Sequence, residues 1–180
     1  MFQTNRFIED CRAALRETEA SVAMRELVTR AVSDPLQVMR AVGEPQRAGV
    51  NIIHRADDLT ILNLCWGPHM SFQPHNHCMW AVIGIYTGRE VNTFYQRDGN
   101  GLMRHGTKDL NPRDVAPLGK NVIHAVVNPL NQITAALHVY GGDFFATVRS
   151  EWDAQSFEER PYNVENTMRA FEASNAQLHQ

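Results

Sequence analysis

A chain of 180 residues is long enough to bury a real core, and 43% hydrophobic with 21% charged residues is the composition of an ordinary soluble globular protein. The formal net charge of −3 excludes the basic footprint of a nucleic-acid or anionic-membrane binder, and no apolar run reaches the length of a bilayer span. The three cysteines, Cys11, Cys65 and Cys78, are scattered and odd in number, which excludes a disulfide framework. With the acidic pair Glu9-Asp10 in place of a secretory signal, a cytoplasmic location is expected.

The first forty or so residues carry helical spacing. Phe7, Ile8, Cys11, Ala14 and Leu15 make one apolar stripe; Val22, Leu27, Val28 and Ala31 make another. Ser33-Asp34-Pro35 breaks the pattern and starts a short helix that runs toward Gly43. From Val50 the texture turns to short β-prone runs separated by turn residues: Val50 to His54, Leu59 to Trp66, and Met70 to Pro74 leading into a strand through Gly84. Val91 to Gln96 follows, and Arg97-Asp98-Gly99-Asn100-Gly101 is a dense hairpin signal. Further runs lie at Leu102 to Arg104, Asp114 to Pro117, Val122 to Val127 and Ile133 to Tyr140. Evenly spaced short strands of this kind predict an antiparallel sandwich or barrel of the jelly-roll type. A polar stretch then leads to a closing helix over Asn163 to Leu178. The expected organisation is one domain: a helical cap over 1–45, a barrel over 50–142, and an extension with a helix over 143–180.

Within the barrel, Pro74-His75-Asn76-His77 opens an apolar, β-branched segment. On a strand, residues i and i+2 share a face, so His75 and His77 would look into one cavity with Met79, Ala81 and Ile83 as its wall. Two neutral imidazoles are half a site for iron, zinc, nickel or copper. Pro117-x-Gly119 makes a turn before the strand that carries His124, which a barrel can bring opposite the first pair. Three imidazoles would then hold one side of an ion, leaving three positions on an octahedral metal or one on tetrahedral zinc. His138 and Tyr140 are again i and i+2. A phenol beside a metal can donate a hydrogen bond to substrate or oxygen, and an adjacent imidazole can fix its orientation.

Gly67 through Gly88 resembles the first cupin motif, and Asp114 through Asn128 resembles the second. The carboxylate that the first motif usually carries four or five residues after its second His is replaced by Ala81 or Val82. In this the chain resembles cysteine dioxygenase and the bacterial thiol dioxygenases, which hold iron with three histidines. Leu64-Cys65-Trp66-Gly67, Trp80-Ala-Val-Ile-Gly84 and Leu137-His138-Val139-Tyr140 are similar to segments of that family. The resemblance covers about half the chain. It implies a cupin double-stranded β-helix, an Fe(II) cofactor on His75, His77 and His124, and a thiol dioxygenase acting on a small thiol and dioxygen. It makes Tyr140 and His138 catalytic, and Met79 and Ala81 part of the substrate wall.

Three differences from the animal-type enzyme stand out. Ala136 takes the place of the Ser two residues before the histidine that His138 resembles, shortening that relay. Ala81 takes the place of the cysteine cross-linked to the tyrosine, and Cys78 is expected to face away from the cavity as a small buried hydrophobe. The arginine that grips the substrate carboxylate has its best counterpart in Arg55, across a loose register; a forked guanidinium is the natural carboxylate clamp. Arg89, Arg97 and Arg149 read as solvated, and His54, His69 and His105 as surface or turn histidines. Three other readings stay open beside the thiol oxygenase: a metal-dependent binding or sensing cupin without turnover, a dioxygenase acting on a non-thiol substrate, and zinc hydrolysis through a bound water. Monomer and homo-oligomer are both compatible with the sequence.

Overall fold

The computed structural model of this protein describes residues 1–99 and 101–178, so Asn100 of the expected hairpin turn, and His179 and Gln180, lie outside the described residues. Three helices come first: α1 (Thr4–Ala14), α2 (Ala20–Val32) and α3 (Pro35–Val42). The break before α3 has the expected chemistry: Asp34 caps it by accepting from the Gln37 N–H at 3.4 Å, and Pro35 sits in the first turn, where no N–H is needed.

Nine strands follow: β1 (Gly49–Arg55), β2 (Thr60–Trp66), β3 (Ser71–Asn76), β4 (Ala81–Thr87), β5 (Glu90–Asp98), β6 (Gly101–Leu110), β7 (Val115–Leu118), β8 (Ile123–Val127) and β9 (Thr134–Tyr140). Two short strands, β10 (Ser150–Trp152) and β11 (Glu159–Pro161), fall in the stretch read from sequence as merely polar, and α4 (Val164–Gln177) closes the described chain. The strands form two antiparallel sheets, ordered β1-β2-β9-β4-β7 and β11-β10-β3-β8-β5-β6. The fold is mainly β, a jelly-roll barrel with helices before and after it.

Alternation along the strands sorts the side chains into two cores. Leu62, Leu64 and Trp66 of β2, Ala81, Ile83 and Ile85 of β4, and Ala136 and Tyr140 of β9 point between the sheets. The intervening Ile61, Cys65, Val82, Tyr86, Leu137 and Val139 point outward and are covered by Met24, Val28 and Val32 of α2 and by Phe7 and Cys11 of α1. Both faces of β2 and β9 are therefore buried, which explains why their sequences are mostly apolar rather than alternating. At Gly84 a Cβ would lie 2.4 Å from Val28 Cγ1, so the missing side chain lets α2 sit down on the sheet.

Gly88 turns β4 into β5 at φ +75°, and a Cβ there would stand 2.6 Å from the Thr134 Cα and 2.1 Å from its Oγ1. The obstruction is backbone and cannot step aside. Gly88→Ala is expected to cost about 3 kcal/mol, combining left-handed strain with overpacking; a urea midpoint equal to wild type would contradict this.

One expected element is corrected. The run from Met70 to Gly84 is not a single strand. β3 ends at Asn76, the chain turns through Cys78 at φ 56°, and β4 starts at Ala81. Pro74 is the reason the first part is irregular. It lies in a bulge between the pairs Phe72↔Val126 and His75↔His124, where its missing N–H is tolerated. The extra residue rephases the strand, so that Phe72 and His75, three apart, both reach the interior.

Candidate metal centre

The three histidines arrive by different routes. His75 comes from β3, directly across from His124 on β8, while His77 comes from the turn after β3 rather than from a strand face. All three are buried, and their ligating nitrogens lie within 4.8 Å of one another. His77 Nε2 stands 3.2 Å from His75 Nε2 and 3.4 Å from His124 Nε2.

Hydrogen bonds set the polarity of two of the rings. His75 Nδ1 donates to the Gln73 carbonyl at 3.0 Å, and His124 Nδ1 donates to Asn92 Oδ1 at 2.8 Å. A carbonyl and an amide oxygen only accept, so Nδ1 carries the proton in both rings and Nε2 is a bare lone pair. Burial, the largest cause, pushes His75 down to about 4 and holds His77 and His124 well below the ordinary imidazole range. Neutral imidazoles with converging lone pairs repel one another in isolation, and a divalent cation is what satisfies them. The donor set fits a metal, and no carboxylate belongs to the group among the described residues.

Around the histidines lies a cavity of about 40 Å³, lined by Leu64, Trp66, Tyr140, Phe144, Tyr162 and Phe171 among others. A space of that size holds roughly three waters. Larger depressions exist along the N-terminal helices, but they are open, polar surface grooves far from this chemistry. Tyr140 packs its ring 5.1 Å from that of His77. Its hydroxyl meets His138 Nδ1 at 3.0 Å. Burial raises the Tyr140 pKa, so it stays a phenol. The far nitrogen of His138 lies 3.7 Å from the carboxylate of Glu90, itself fully buried.

The wall residues differ from expectation. Met79 and Ala81 are buried in the same inter-sheet core but do not line the cavity. Once β3 and β4 are separate strands, the i, i+2 rule no longer carries from His77 to Met79. Ala81 is the direct cross-strand partner of Tyr140, which places a methyl group where a cross-linking thiol would have to be. Cys78 is half-buried in the turn, beside Arg97 and Lys120 on the outer surface, rather than a small core residue.

The arginines also sort differently. Arg55 is not brought to the cavity. It lies over Phe145 and forms a forked ion pair with Asp143, with Nε at 3.0 Å and Nη2 at 2.9 Å from Oδ2. Arg149, read from sequence as solvated, is only 5% exposed. Its guanidinium lies 4.1 Å from the Phe144 ring and 3.8 Å from the Tyr162 ring, two of the rings that line the cavity. Nη1 donates to the Phe144 carbonyl, while Nε and Nη2 are buried with no partner among the described residues. Its positive charge adds to the burial that lowers His75 and His77, and it partly opposes the burial that raises Tyr140. Arg149 itself is not in the cavity wall; a buried guanidinium with two donor nitrogens unpaired among the described residues, packed on two rings of that wall, is a candidate anion site. Nothing in the local sequence marks it as buried, because Arg149 lies just before the three-residue β10 and the rings that cover it belong to Phe144 and to Tyr162.

No helix among the described residues is long and apolar enough to cross a membrane. No family model matches the chain. Solved structures similar to it include a variant oxalate decarboxylase of Bacillus subtilis, 16% identical with a TM-score of 0.42, over 51% of this chain and 23% of that one. A cupin superfamily protein of Desulfitobacterium hafniense is 19% identical with a TM-score of 0.46, over 61% of this chain and 89% of that one. A cupin 2 conserved barrel domain protein of Salinispora arenicola is 19% identical with a TM-score of 0.41, over 51% and 72%. This chain thus spans about a quarter of the decarboxylase and most of the two smaller proteins, and each likeness is one of fold.

Proposed function

We propose that this chain is a non-haem Fe(II)-dependent dioxygenase of the thiol dioxygenase type, adding both atoms of dioxygen to the sulfur of a small thiol to give a sulfinate. The observation that carries the reading is a buried donor set of three neutral imidazoles with no carboxylate among them. His75, His77 and His124 would hold the ion through Nε2, and such a set leaves its double positive charge uncompensated. A thiolate is a fitting partner for that charge, since a coordinated thiol gives up its proton. Iron, when bound, supplies the redox chemistry that makes dioxygen reactive toward sulfur. The overall change balances within the two reactants. Two S–O bonds form and the O–O bond breaks, sulfur loses four electrons and dioxygen gains them, and no outside reductant is needed.

The chain's own residues do the rest. Arg149 offers Nε–H and Nη2–H side by side, the fork that matches a carboxylate. Arg149 is not in the cavity wall but packs on Phe144 and Tyr162, which are, so the substrate would be a short thiol acid whose sulfur faces the histidines and whose carboxylate reaches Arg149 past those two rings. Tyr140 keeps its proton and presents a hydroxyl at the cavity wall, with His138 holding its orientation. The rings of Phe144, Tyr162 and Phe171 keep water out and limit the substrate to a few carbons.

The test is an anaerobic titration of the Fe(II) protein with a panel of short thiols, followed by exposure to oxygen and mass analysis. The expected result is a thiol acid that gains two oxygen atoms. A thiol that binds and returns unchanged would make the protein a binding module. Zinc or nickel at full occupancy in protein made with ample iron would reject oxygen chemistry.

A further inference from the structure

Glu90 is fully buried, 0% exposed, on the first residue of β5. Two donors bond it, and one imidazole nitrogen stands nearby. The Trp66 indole N–H reaches Oε1 at 2.8 Å, the Asn92 amide Nδ2 reaches Oε2 at 3.4 Å, and His138 Nε2 lies 3.7 Å from Oε1 with no other partner. An indole can only donate, and Trp66 alone would be served equally well by an amide oxygen. What an amide cannot do is accept on every side.

That difference propagates. Asn92 stands between Glu90 and His124, with Nδ2 toward the carboxylate and Oδ1 toward His124 Nδ1 at 2.8 Å. Turned the other way, its oxygen would face carboxylate oxygen and its NH₂ would face the imidazole. The carboxylate thus forces the amide's direction, and the amide forces the proton of His124 onto Nδ1, leaving Nε2 bare. On the other branch, His138 Nε2 stands 3.7 Å from the carboxylate, beyond hydrogen-bond length, and the negative charge there favours the tautomer with the proton on Nε2, in which Nδ1 accepts from the Tyr140 hydroxyl at 3.0 Å. Ala136 leaves the relay short by one hydroxyl, and Glu90 supplies an acceptor at its end from a neighbouring sheet.

We infer that Glu90 is a positioning residue that sets the proton arrangement of both His124 and His138, and so prepares His124 Nε2 for a metal and directs the Tyr140 hydroxyl. The inference rests on the metal-centre reading for its purpose, but the arrangement itself is a property of the chain alone.

Glu90→Gln keeps an acceptor for Trp66 and replaces Oε2 by an NH₂ group, which turns Asn92 around. In the full-length metal-free protein, two-bond ¹⁵N–¹H spectra of the imidazoles report which nitrogen of His124 bears the proton. Wild type is expected to show Nδ1–H, and Glu90→Gln to move the proton to Nε2. Zn(II) affinity, measured by competition with a coloured chelator, is expected to fall by about 10–100-fold. The decisive variant is the exchange Glu90→Gln with Asn92→Asp. There the new amide donates to the new carboxylate, which again accepts from His124 Nδ1, so the wild-type proton position and an affinity within about threefold of wild type return. If the single variant does not fold, the exchange carries the test by itself. An unchanged His124 spectrum and affinity in Glu90→Gln would overturn the inference, and so would an exchange that restores neither. Wild-type protein that takes up neither Zn(II) nor Fe(II) would sink the proposed function, while the spectra would still decide the role of Glu90.

Discussion

Replacing His124 by Ala is expected to abolish tight iron binding and oxygen uptake together. The side chain is 1% exposed and stands within 3.4 Å of His77 Nε2, directly across the sheet from His75. A four-ligand structural zinc site is worth about 10–16 kcal/mol, hence roughly 3–4 kcal/mol for each ligand. Losing one of three should weaken metal binding on the order of 10³-fold. The fold itself loses something too. Asn92 Oδ1 is left without its donor, and the removed ring opens a cavity beside Phe94, together about 2–3 kcal/mol. His124→Gln refills most of that volume and can still donate to Asn92 without supplying an imidazole, so it separates loss of metal from loss of fold. Metal content, circular dichroism and an oxygen electrode settle the matter. Full oxygen uptake in folded His124→Gln would remove the basis for the site.

The second large effect is expected at Arg149, and it should depend on the substrate. Arg149→Met should lower kcat/KM for a thiol acid on the order of 10²-fold, since truncating one partner of a buried charge pair costs about 2–5 kcal/mol. Activity toward a neutral thiol of the same length should change little. Stability should move in neither direction by more than about 1 kcal/mol. The guanidinium gains from two aromatic faces and one carbonyl, but it also buries two nitrogens with nothing to bond to, and these contributions offset. Arg55→Met is the contrasting variant. Arg55 is half-exposed and its donors are already taken by Asp143, so kcat/KM for both thiols should stay within about twofold. Equal losses for acidic and neutral thiols in Arg149→Met would mean that the arginine shapes the pocket without binding a carboxylate. A large loss confined to Arg55→Met would return the anion site to β1.

Several features were legible because they depend on neighbours in sequence. The capped start of α3 follows from Asp34 and Pro35, and the strands follow from β-branched runs between turn residues. The histidine pair and the His138–Tyr140 pair follow from period-2 geometry. The same rule applied to Glu90 and Asn92, two polar residues at i and i+2 with apolar Phe94 next on that face, would have marked β5 as part of the site. Other features had no local signature. The bulge at Pro74 and the turn at Cys78 part the histidines from Met79 and Ala81, and a pattern of alternation cannot show where a strand is interrupted.

What the residues alone determined is the class of fold and the identity of three histidines able to meet, because hydrophobic periodicity and imidazole chemistry are written along the chain. The pairing of β3 with β8, which sets His75 against His124, was decided only by the closing of the barrel. So was the difference between two arginines. Arg55 and Arg149 are chemically the same side chain, and what separates them is that Asp143 satisfies one at the surface while Phe144 and Tyr162 bury the other with two donors unpaired among the described residues. Burial and the company of charges arise from residues distant in sequence, and they exist only once the chain has packed.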